Sequence, residues 1–590
     1  MDNKNSNGVE NNLDKIRHSL AHILAGVIKQ KYPEAKLGIG PAIDNGFYYD
    51  FDFAEGRAPI QEDFAELEKE MRKLIAAKHS FIKEEISANE AKELFNNEPY
   101  KLELISELAQ GGENISIYRN GSFVDLCAGP HVSSTAEINP AAFKLDRLAG
   151  AYWKGSEKNK MLTRIYGLAF GSKNELEEYQ KIMGEAEKRD HRKLGKELEL
   201  FMISEEVGKG LPLWLPNGAF IRKKLEDYMY EKEYNQGYKY VYTPVLTNKK
   251  LYETSGHLTH FREDMYNPIM IENEEYYLKP MNCPHHHMIY RNKPLSYRDL
   301  PLRLAEFGLI HRFERSGVLT GLIRARCFTQ NDSHIYCARQ DLKKELLGVL
   351  DLFQEVYADF HIKDFWFRLS LPDFNNTEKY GDIKNKKMWD EATQAAREAL
   401  EEFSGKYAEG EGEATFYGPK IDVQVKNVLG KEDTIGTAQV DFYSAGKFNL
   451  VFTNQQGQDE HPVIIHRAIM GSFDRFFAFL VEQTSGNFPV WLASVQVKIL
   501  PISEKFKDYA GGVFKKLKQE GIRVELDESD ESLGKKIRNA KIQKIPYLIV
   551  VGEKEMAANQ ITIENRGGGS EKTDVDSFIS RVKKEITERS

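Results

Sequence analysis

The chain has 590 residues, a length that calls for several domains, about four, and its 41% hydrophobic and 11% aromatic content is that of an ordinary globular protein. A net charge of −8 excludes nucleic-acid binding through overall charge, so any such contact must come from local patches. Four scattered cysteines exclude a disulfide framework and suit a reducing, cytoplasmic setting, while the polar start and the lack of a long apolar run predict neither a leader nor a membrane span.

In chain order, Leu13 to Tyr32 has helical periodicity, and GPAIDNGFYYDFD reads as a turn and a strand. Residues 61–107 read as two charged amphipathic helices. Strand-like segments around 115–126 and 150–166 follow, with CAGPHVSST after the first. One α+β domain is expected over 1–171, and the charged helical stretch 172–200 is expected to be a connector. A large mixed domain fills 201–488, with strand signals in YKYVYTPVL, in 307–337, in KIDVQVKNV and in TAQVDF. Helical signals there lie at 340–358 and 388–403. From 489 onward, VQVKILPI, a helix at 503–519, GIRVEL, a helix at 532–543, PYLIVVG and a helix at 574–588 alternate. That predicts a small α/β domain, 489–590, with a mainly parallel sheet. Residues 491–590 carry about +3 and the rest about −11.

The stretch FGLIHRFERSGVLTGLIRARCFTQNDSHIYC (307–337) looks like an antiparallel hairpin around a Ser-Gly…Gly turn. Alternation puts Arg324, Arg326, Gln330, Asp332 and His334 on one face of its second arm, with Arg312 and Glu314 sharing a face on the first. Charges so concentrated make poor core, because buried charges must be paired. They make a good floor for an anionic, polar ligand, although a solvated hairpin face has the same periodicity.

Five further constellations carry chemistry. In His18-Ser19-Leu20-Ala21-His22 the two imidazoles share a helix face, but Ser19 stands where a zinc protease needs its glutamate, which rejects that reading. Asp125-Leu126-Cys127-Ala128-Gly129-Pro130-His131 turns at Gly-Pro and would bring thiol and imidazole to one pocket. With the histidine pair it is either a metal set or a pocket that positions water. Met281-Asn282-Cys283-Pro284-His285-His286-His287 offers a thiol that is either a ligand or simply buried. The run from Val463 to Phe476 passes from an apolar strand through Gly471-Ser472 into a helix, and Arg475 in its first turn suits a phosphate. Pairing of Arg475 with Asp474 or Glu482 is the plain alternative. A Gly418-Pro419 turn presents Tyr417 and Lys420.

Taken together, HSLAH with CAGPH, RDHRKLG, KPMNCP, LPLRLAEFG, FTQNDSH, FYGPKID, IHRAIMGS and WLASVQV resemble the bacterial threonyl-tRNA synthetases, a family of class II aminoacyl-tRNA synthetases, over about residues 13–588. The resemblance implies an N-terminal α+β editing domain, a central class II antiparallel sheet flanked by helices, and a C-terminal α/β anticodon-binding domain. It implies a threonine-tRNA ligase that makes threonyl-adenylate, charges tRNA(Thr) and edits seryl-tRNA(Thr), as a cytoplasmic homodimer paired through YKYVYTP.

By position it implies Cys283, His334 and His466 as ligands of one Zn2+ and Mg2+ accompanying ATP. Threonine would meet the metal through its amine and hydroxyl, with Asp332 fixing the hydroxyl and Gln330 and Tyr417 lining the pocket. Arg312 would hold the α-phosphate and the attacking carboxylate, Arg475 the γ-phosphate and Glu314 the adenine, with Arg324 and Lys420 adding contacts. An oxygen-seeking metal would reject valine, which an apolar pocket separates poorly, but would admit serine, which makes a hydrolytic second sieve necessary. That role would fall to His18, His22, Cys127 and His131, with Asp125, Tyr49 and Lys101. The family is thought to edit without a metal, which leaves the choice between metal and water open.

The chain departs from the family pattern in several places. Family members usually begin with a small ubiquitin-like domain, which is expected to be missing. Thr320 replaces a histidine, Cys327 a glycine, and PHHHMIY the more usual PGH. Asp527-Glu528-Ser529-Asp530 and Ile563-Glu564-Asn565-Arg566 stand where basic anticodon contacts are common, which leaves Lys536, Arg538 and Glu555 as the matching positions. A prolyl or seryl synthetase would lack this metal set, and a synthetase-derived regulator without catalysis would be expected to lose Arg312, Arg475 or a ligand.

Overall fold

A computed structural model describes residues 6–54, 56–380, 386–404 and 406–590. The chain packs as two units, Met1–Met183 and Gly184–Ser590.

The first unit is α+β. The helix Ser6–Lys31 buries Leu20, Ile23, Leu24, Val27 and Ile28 and carries Lys29 and Lys31 in its last turn, where the helix dipole favours them. It packs on a five-stranded antiparallel sheet in which the strand Gly46–Asp52 turns Phe47, Tyr49 and Phe51 inward. A second antiparallel sheet joins Phe81–Ile86, Ile115–Asn120 and Phe123–Leu126. The expected pair of helices over 61–107 is corrected here. The chain forms helices Phe64–Ala76, Ala88–Leu94 and Pro99–Gly111 with the strand Phe81–Ile86 between the first two. FIKEEI is charged enough to read as helix, but Glu84 meets Arg119 of the neighbouring strand at 2.8 Å, and a distant partner decides its state.

The second unit holds an eight-stranded sheet. Its antiparallel centre runs, in spatial order, Leu302–His311, Cys327–Cys337, Val463–Ala468, Glu432–Asp441, Lys420–Lys426 and Phe365–Leu371, and a parallel strand closes each edge. The hairpin 307–337 is confirmed, but its arms end at His311 and start again at Cys327, so Arg312, Glu314, Arg324 and Arg326 sit in the connection rather than on the pleat. Helices Pro216–Asn235, Leu342–Asp359 and Phe473–Thr484 contribute to a core on the other side, with Ile221, Leu225, Leu346, Phe353, Phe476 and Leu480.

One buried charge pair sits in that core. Arg467 donates to Glu233 at 2.6 Å with both side chains fully buried, and Asn331 donates to the same carboxylate at 2.8 Å. Of YKYVYTPVL only Lys239–Tyr240 and Leu246–Asn248 are strands. The connector is two helices, Lys173–Arg189 and His191–Glu197, broken where Asp190 caps the second through the Arg192 N–H.

The last sheet corrects another expectation. The strands Val497–Pro501, Val524–Leu526 and Tyr547–Val551 are parallel, but the antiparallel pair Ile561–Asn565 and Ser570–Thr573 extends them. Asn565, Gly567 and Gly568 form the turn between the last two strands, and their polar surroundings hid both from a hydrophobic pattern search.

Candidate functional site

The central cluster of the second unit is built from three segments far apart in sequence. Cys283 opens the helix Cys283–Tyr290, and His334 and His466 are direct cross-strand partners in the sheet. One donor atom from each lies within 4.8 Å of the others. Cys283, His466, Tyr417 and His257 line a cavity of about 10 Å³, room for a single atom-sized occupant. Tyr417 stacks on His466 with ring centroids 5.0 Å apart and donates its hydroxyl to Gln439.

Hydrogen bonds fix both imidazoles. His466 donates Nε2–H to Asp441 at 2.9 Å, which leaves Nδ1 bare. His286 donates Nε2–H to Glu306 at 3.2 Å, so its Nδ1 accepts from His334 Nδ1–H at 2.8 Å and the Nε2 of His334 is bare. Thr243 N–H donates to Glu306 at 2.8 Å, and Lys279 lies 3.5 Å from it. Carboxylate-backed histidines of this kind are what metal sites use to orient and strengthen their ligands. Burial pushes the Cys283 thiol well up and the His334 imidazole well down, which is costly for a thiolate unless a cation stands beside it. The donor set, its spacing and its carboxylate backing therefore fit zinc.

Asp332 lies on the same pleat as His334, two residues away, and accepts from Asn282 at 3.0 Å; burial pushes its carboxyl up. His257, which sequence reading missed, is held down to about 3 by burial, with Arg312 and His466 adding to the effect.

Arg312, Glu314, Arg324 and Arg475 line an adjoining cavity of about 190 Å³, with Gln330, Thr434 and Ser472 also on its wall. Gln330 is therefore on this side, away from the small cavity. Arg312 lies over the Phe328 ring at 5.4 Å and donates to Pro280 O at 3.4 Å. Arg475 donates Nε–H to Ile323 O at 3.3 Å, and Ser472 caps its helix. The plain pairing of Arg475 with its helix neighbours is not made. Asp474 accepts from Thr329 N–H, and Glu482 is engaged by His191. Arg324 pairs with Glu314 at 2.8 Å. Arg326 points elsewhere and braces the loop through Glu314 O and Lys209 O. Lys420 pairs with Asp422 at 2.8 Å and is not among the described residues lining either cavity.

The first unit holds its own cluster, in which His18, His22, Cys127 and His131 bring donor atoms within 4.8 Å. Gly129 makes the turn at φ +81°, where a Cβ would lie 2.3 Å from the Tyr118 hydroxyl, so only glycine fits. His18 donates Nδ1–H to Pro130 O at 3.1 Å. Ser19 donates to Lys15 O at 2.7 Å and so accepts from His131 Nδ1–H at 3.1 Å. Both imidazoles thus turn a bare Nε2 to Cys127 Sγ, at 3.3 and 3.4 Å. Ser19 is fully buried and is the orienting group of the HSLAH motif. Burial pushes Cys127 up to about 11 and holds His22 and His131 down. Asp125 is committed to Tyr49 at 2.6 Å and Lys101 at 2.6 Å, with His22 at 3.7 Å.

On the helices Leu533–Ile542 and Glu553–Ala558 the expected contacts divide. Lys536 is buried and held by Asp527, whose carbonyl is 3.3 Å away, and Glu555 accepts from Gly552 N–H and Thr562. Only Arg538 is exposed.

Residues 266–484 match a family model described as the tRNA synthetase class II core domain (G, H, P, S and T). Residues 496–585 match an anticodon binding domain, and 115–166 match the threonyl and alanyl tRNA synthetase second additional domain. The chain is 49% identical over 578 residues to a threonine-tRNA ligase of Geobacillus sp. (strain WCH70), covering 97% of this chain and 89% of the relative. It is 48% identical over 582 residues to one of Staphylococcus aureus (strain JH9), covering 98% and 89%. Among solved structures it is similar to the RNA binding domain of threonyl-tRNA synthetase from Cryptosporidium parvum Iowa II, with TM-score 0.63 and 36% identity over 67% of this chain and 98% of that one. It is also similar to a putative threonyl-tRNA synthetase from Aeropyrum pernix, with TM-score 0.60 and 27% identity over 68% and 97%. With relatives matched this closely over nearly their full length, the chain belongs to the threonine-tRNA ligase family of class II aminoacyl-tRNA synthetases.

Proposed function

We propose that the chain activates L-threonine with ATP, transfers it to tRNA(Thr), and hydrolyses seryl-tRNA(Thr) in its N-terminal unit. The observation that carries the residue roles is the meeting of Cys283, His334 and His466 beside a cavity walled by Arg312, Arg324 and Arg475. The threonine carboxylate attacks the α-phosphorus and pyrophosphate leaves, so the work is positioning and charge stabilisation. Arg312 spans the α-phosphate and the attacking carboxylate, Arg475 takes the γ-phosphate end, and Glu314 reads adenine after release from Arg324. Mg2+ accompanies the triphosphate. Lys420 reaches ATP only by leaving Asp422.

Cys283, His334 and His466 would hold zinc, which when bound supplies an open Lewis-acid position selective for an amine and a hydroxyl over a methyl group. Asp332, steadied by Asn282, accepts the threonine hydroxyl, and Tyr417 closes the pocket over His466. Gln330 serves the junction between threonine and ATP.

For editing, the bare Nε2 atoms of His18 and His131 are the bases that position water against a seryl ester, with Cys127 between them as a neutral thiol. Asp125, with Lys101, Tyr49 and His22, fixes the other wall. The working division is editing 1–171, linker 172–200, catalysis 201–488 and anticodon binding 489–590, with Arg538 the exposed basic contact. The chain acts as a cytoplasmic homodimer paired through the YKYVYTP segment.

Threonine-dependent pyrophosphate exchange, run alongside metal analysis, tests this reading. The expected result is exchange with threonine, none with proline, and one zinc per chain. Exchange with proline alone, or full exchange from metal-free protein, would overturn it.

A further inference from the structure

The linker reaches the ATP end of the active site through one side chain. His191 opens the helix His191–Glu197 and is only 1% exposed. Both of its ring nitrogens are used, by two different elements. Leu322 donates its backbone N–H to Nε2 at 3.2 Å. A backbone amide can only donate, so Nε2 is the bare nitrogen and Nδ1 carries the proton, which it donates to Glu482 Oε1 at 2.7 Å. The His191 backbone N–H reaches the same oxygen at 3.3 Å.

The two elements so joined both line the 190 Å³ cavity, one with Leu322, Ile323 and Arg324, the other with Arg475. Leu322 precedes Ile323, whose carbonyl accepts from Arg475, and Arg324, which pairs with Glu314. Glu482 lies seven residues beyond Arg475 on the helix Phe473–Thr484, about two turns along the same side. The loop backbone is moulded to the ring. Gly321 has φ +48°, and a Cβ there would lie 2.2 Å from His191 Nε2. Asp190, His191 and Glu482 bring three donor atoms within 4.8 Å, but Nε2 is turned to an amide and Asp190 is taken up by Arg192 at 2.5 to 3.1 Å. Both ring nitrogens of His191 are thus engaged, so the imidazole serves as a brace rather than as a ligand.

We propose that His191 is a positioning residue for ATP. It ties the loop carrying Arg324 to the helix carrying Arg475, so that the groups facing the triphosphate keep one spacing. This rests on the reading of the 190 Å³ cavity as the ATP site.

The test is pyrophosphate exchange by full-length His191→Ala, His191→Gln and His191→Asn, with ATP and threonine varied separately. A glutamine can put its carbonyl oxygen near the position of Nε2 and accept from Leu322, whereas asparagine can serve only the Glu482 side. The expected result for His191→Ala is a KM for ATP raised about tenfold, the size of one buried hydrogen bond, with the KM for threonine within about twofold. Glutamine should recover most of that loss and asparagine little. Unchanged KM for ATP in a folded alanine variant would overturn the proposal, as would equal rises in both KM values. If the alanine variant fails to fold, Glu482→Ala takes its place, with the same expected ATP-selective loss and the same overturning results. Arg475→Ala is run beside it. If that variant also keeps its KM for ATP, the cavity assignment fails; if it alone loses ATP binding, only the brace fails.

Discussion

Both clusters set a cysteine among histidines with donor atoms within 4.8 Å, three histidines in the first unit and two in the second, yet they differ in what stands behind the imidazoles. In the second unit each bare nitrogen belongs to a ring backed by a carboxylate, Asp441 directly and Glu306 through His286. In the first unit the rings of His18 and His131 are backed by a carbonyl and a hydroxyl, and the nearby carboxylate, Asp125, is spent on Lys101 and Tyr49. A carboxylate makes an imidazole a stronger ligand, whereas a neutral acceptor only fixes its orientation. The Cys127 thiol takes a hydrogen bond from Gly129 N–H and has one proton to give, which serves one of the two bare Nε2 atoms. Donor type and distance do not separate the two clusters, and under the roles proposed above the groups behind the imidazoles are what distinguishes them.

The sharpest way to break this contrast is Cys283→Ala. We expect loss of bound zinc and a fall in threonine-dependent exchange of about 10³-fold or more. A zinc equivalent that stays on this variant would place the metal in the first unit and reverse the comparison. Next, His18→Ala with Cys127→Ala should leave charging within about twofold while seryl-tRNA deacylation falls about 10²- to 10⁴-fold. Unchanged serine clearance would give the N-terminal cluster another job.

A finer probe is Asp441→Asn, which keeps all three ligands and weakens only the backing of His466. Chelator competition should show zinc affinity down about 10- to 100-fold. No change would mean that the carboxylate layer does not distinguish the clusters.

The smallest effect is in pH. Burial holds the His22 imidazole well below its ordinary value. Below about pH 6.5 the unfolded chain therefore binds a proton that the folded one refuses, so stability is present at neutral pH and falls as pH drops. The slope approaches about 1.4 kcal/mol per pH unit for this one group. Hydrogen-exchange protection factors in residues 13–32, corrected for the intrinsic pH dependence of amide exchange, should thus fall between pH 7 and 5. Equal protection at both values would mean that His22 is solvated.

Local pattern carried much of this to the reader of the sequence, and long-range partners carried the rest. The hairpin was legible because strand alternation puts Gln330, Asp332 and His334 on one side, and the helices at 342–359 and 386–403 because their apolar stripes recur at helical spacing. The strand FIKEEI was not, since its partner lies about thirty residues on and its own composition favours helix. Ser19 was legible only as the absence of a protease glutamate. Its role as acceptor for His131 needs a contact across 112 positions. Glu306 and Asp441 were missed for the same reason, and Lys536 looked like a free cation until the fold buried it against Asp527.

Glu233 has a consequence for how the metal ligands come to face one another. Arg467 and Asn331 stand on the back of the two strands that carry His466 and His334 on the front, and both bond that one carboxylate. A slip of either strand by one residue would turn an imidazole into the apolar core and an arginine or an amide toward the active site. A slip of the strand that carries Arg467 would also leave the buried Glu233 carboxylate without its cation, at about 3–5 kcal/mol. The pair therefore acts as a proofreading element for strand assembly. It favours the register in which His334 and His466 face one another.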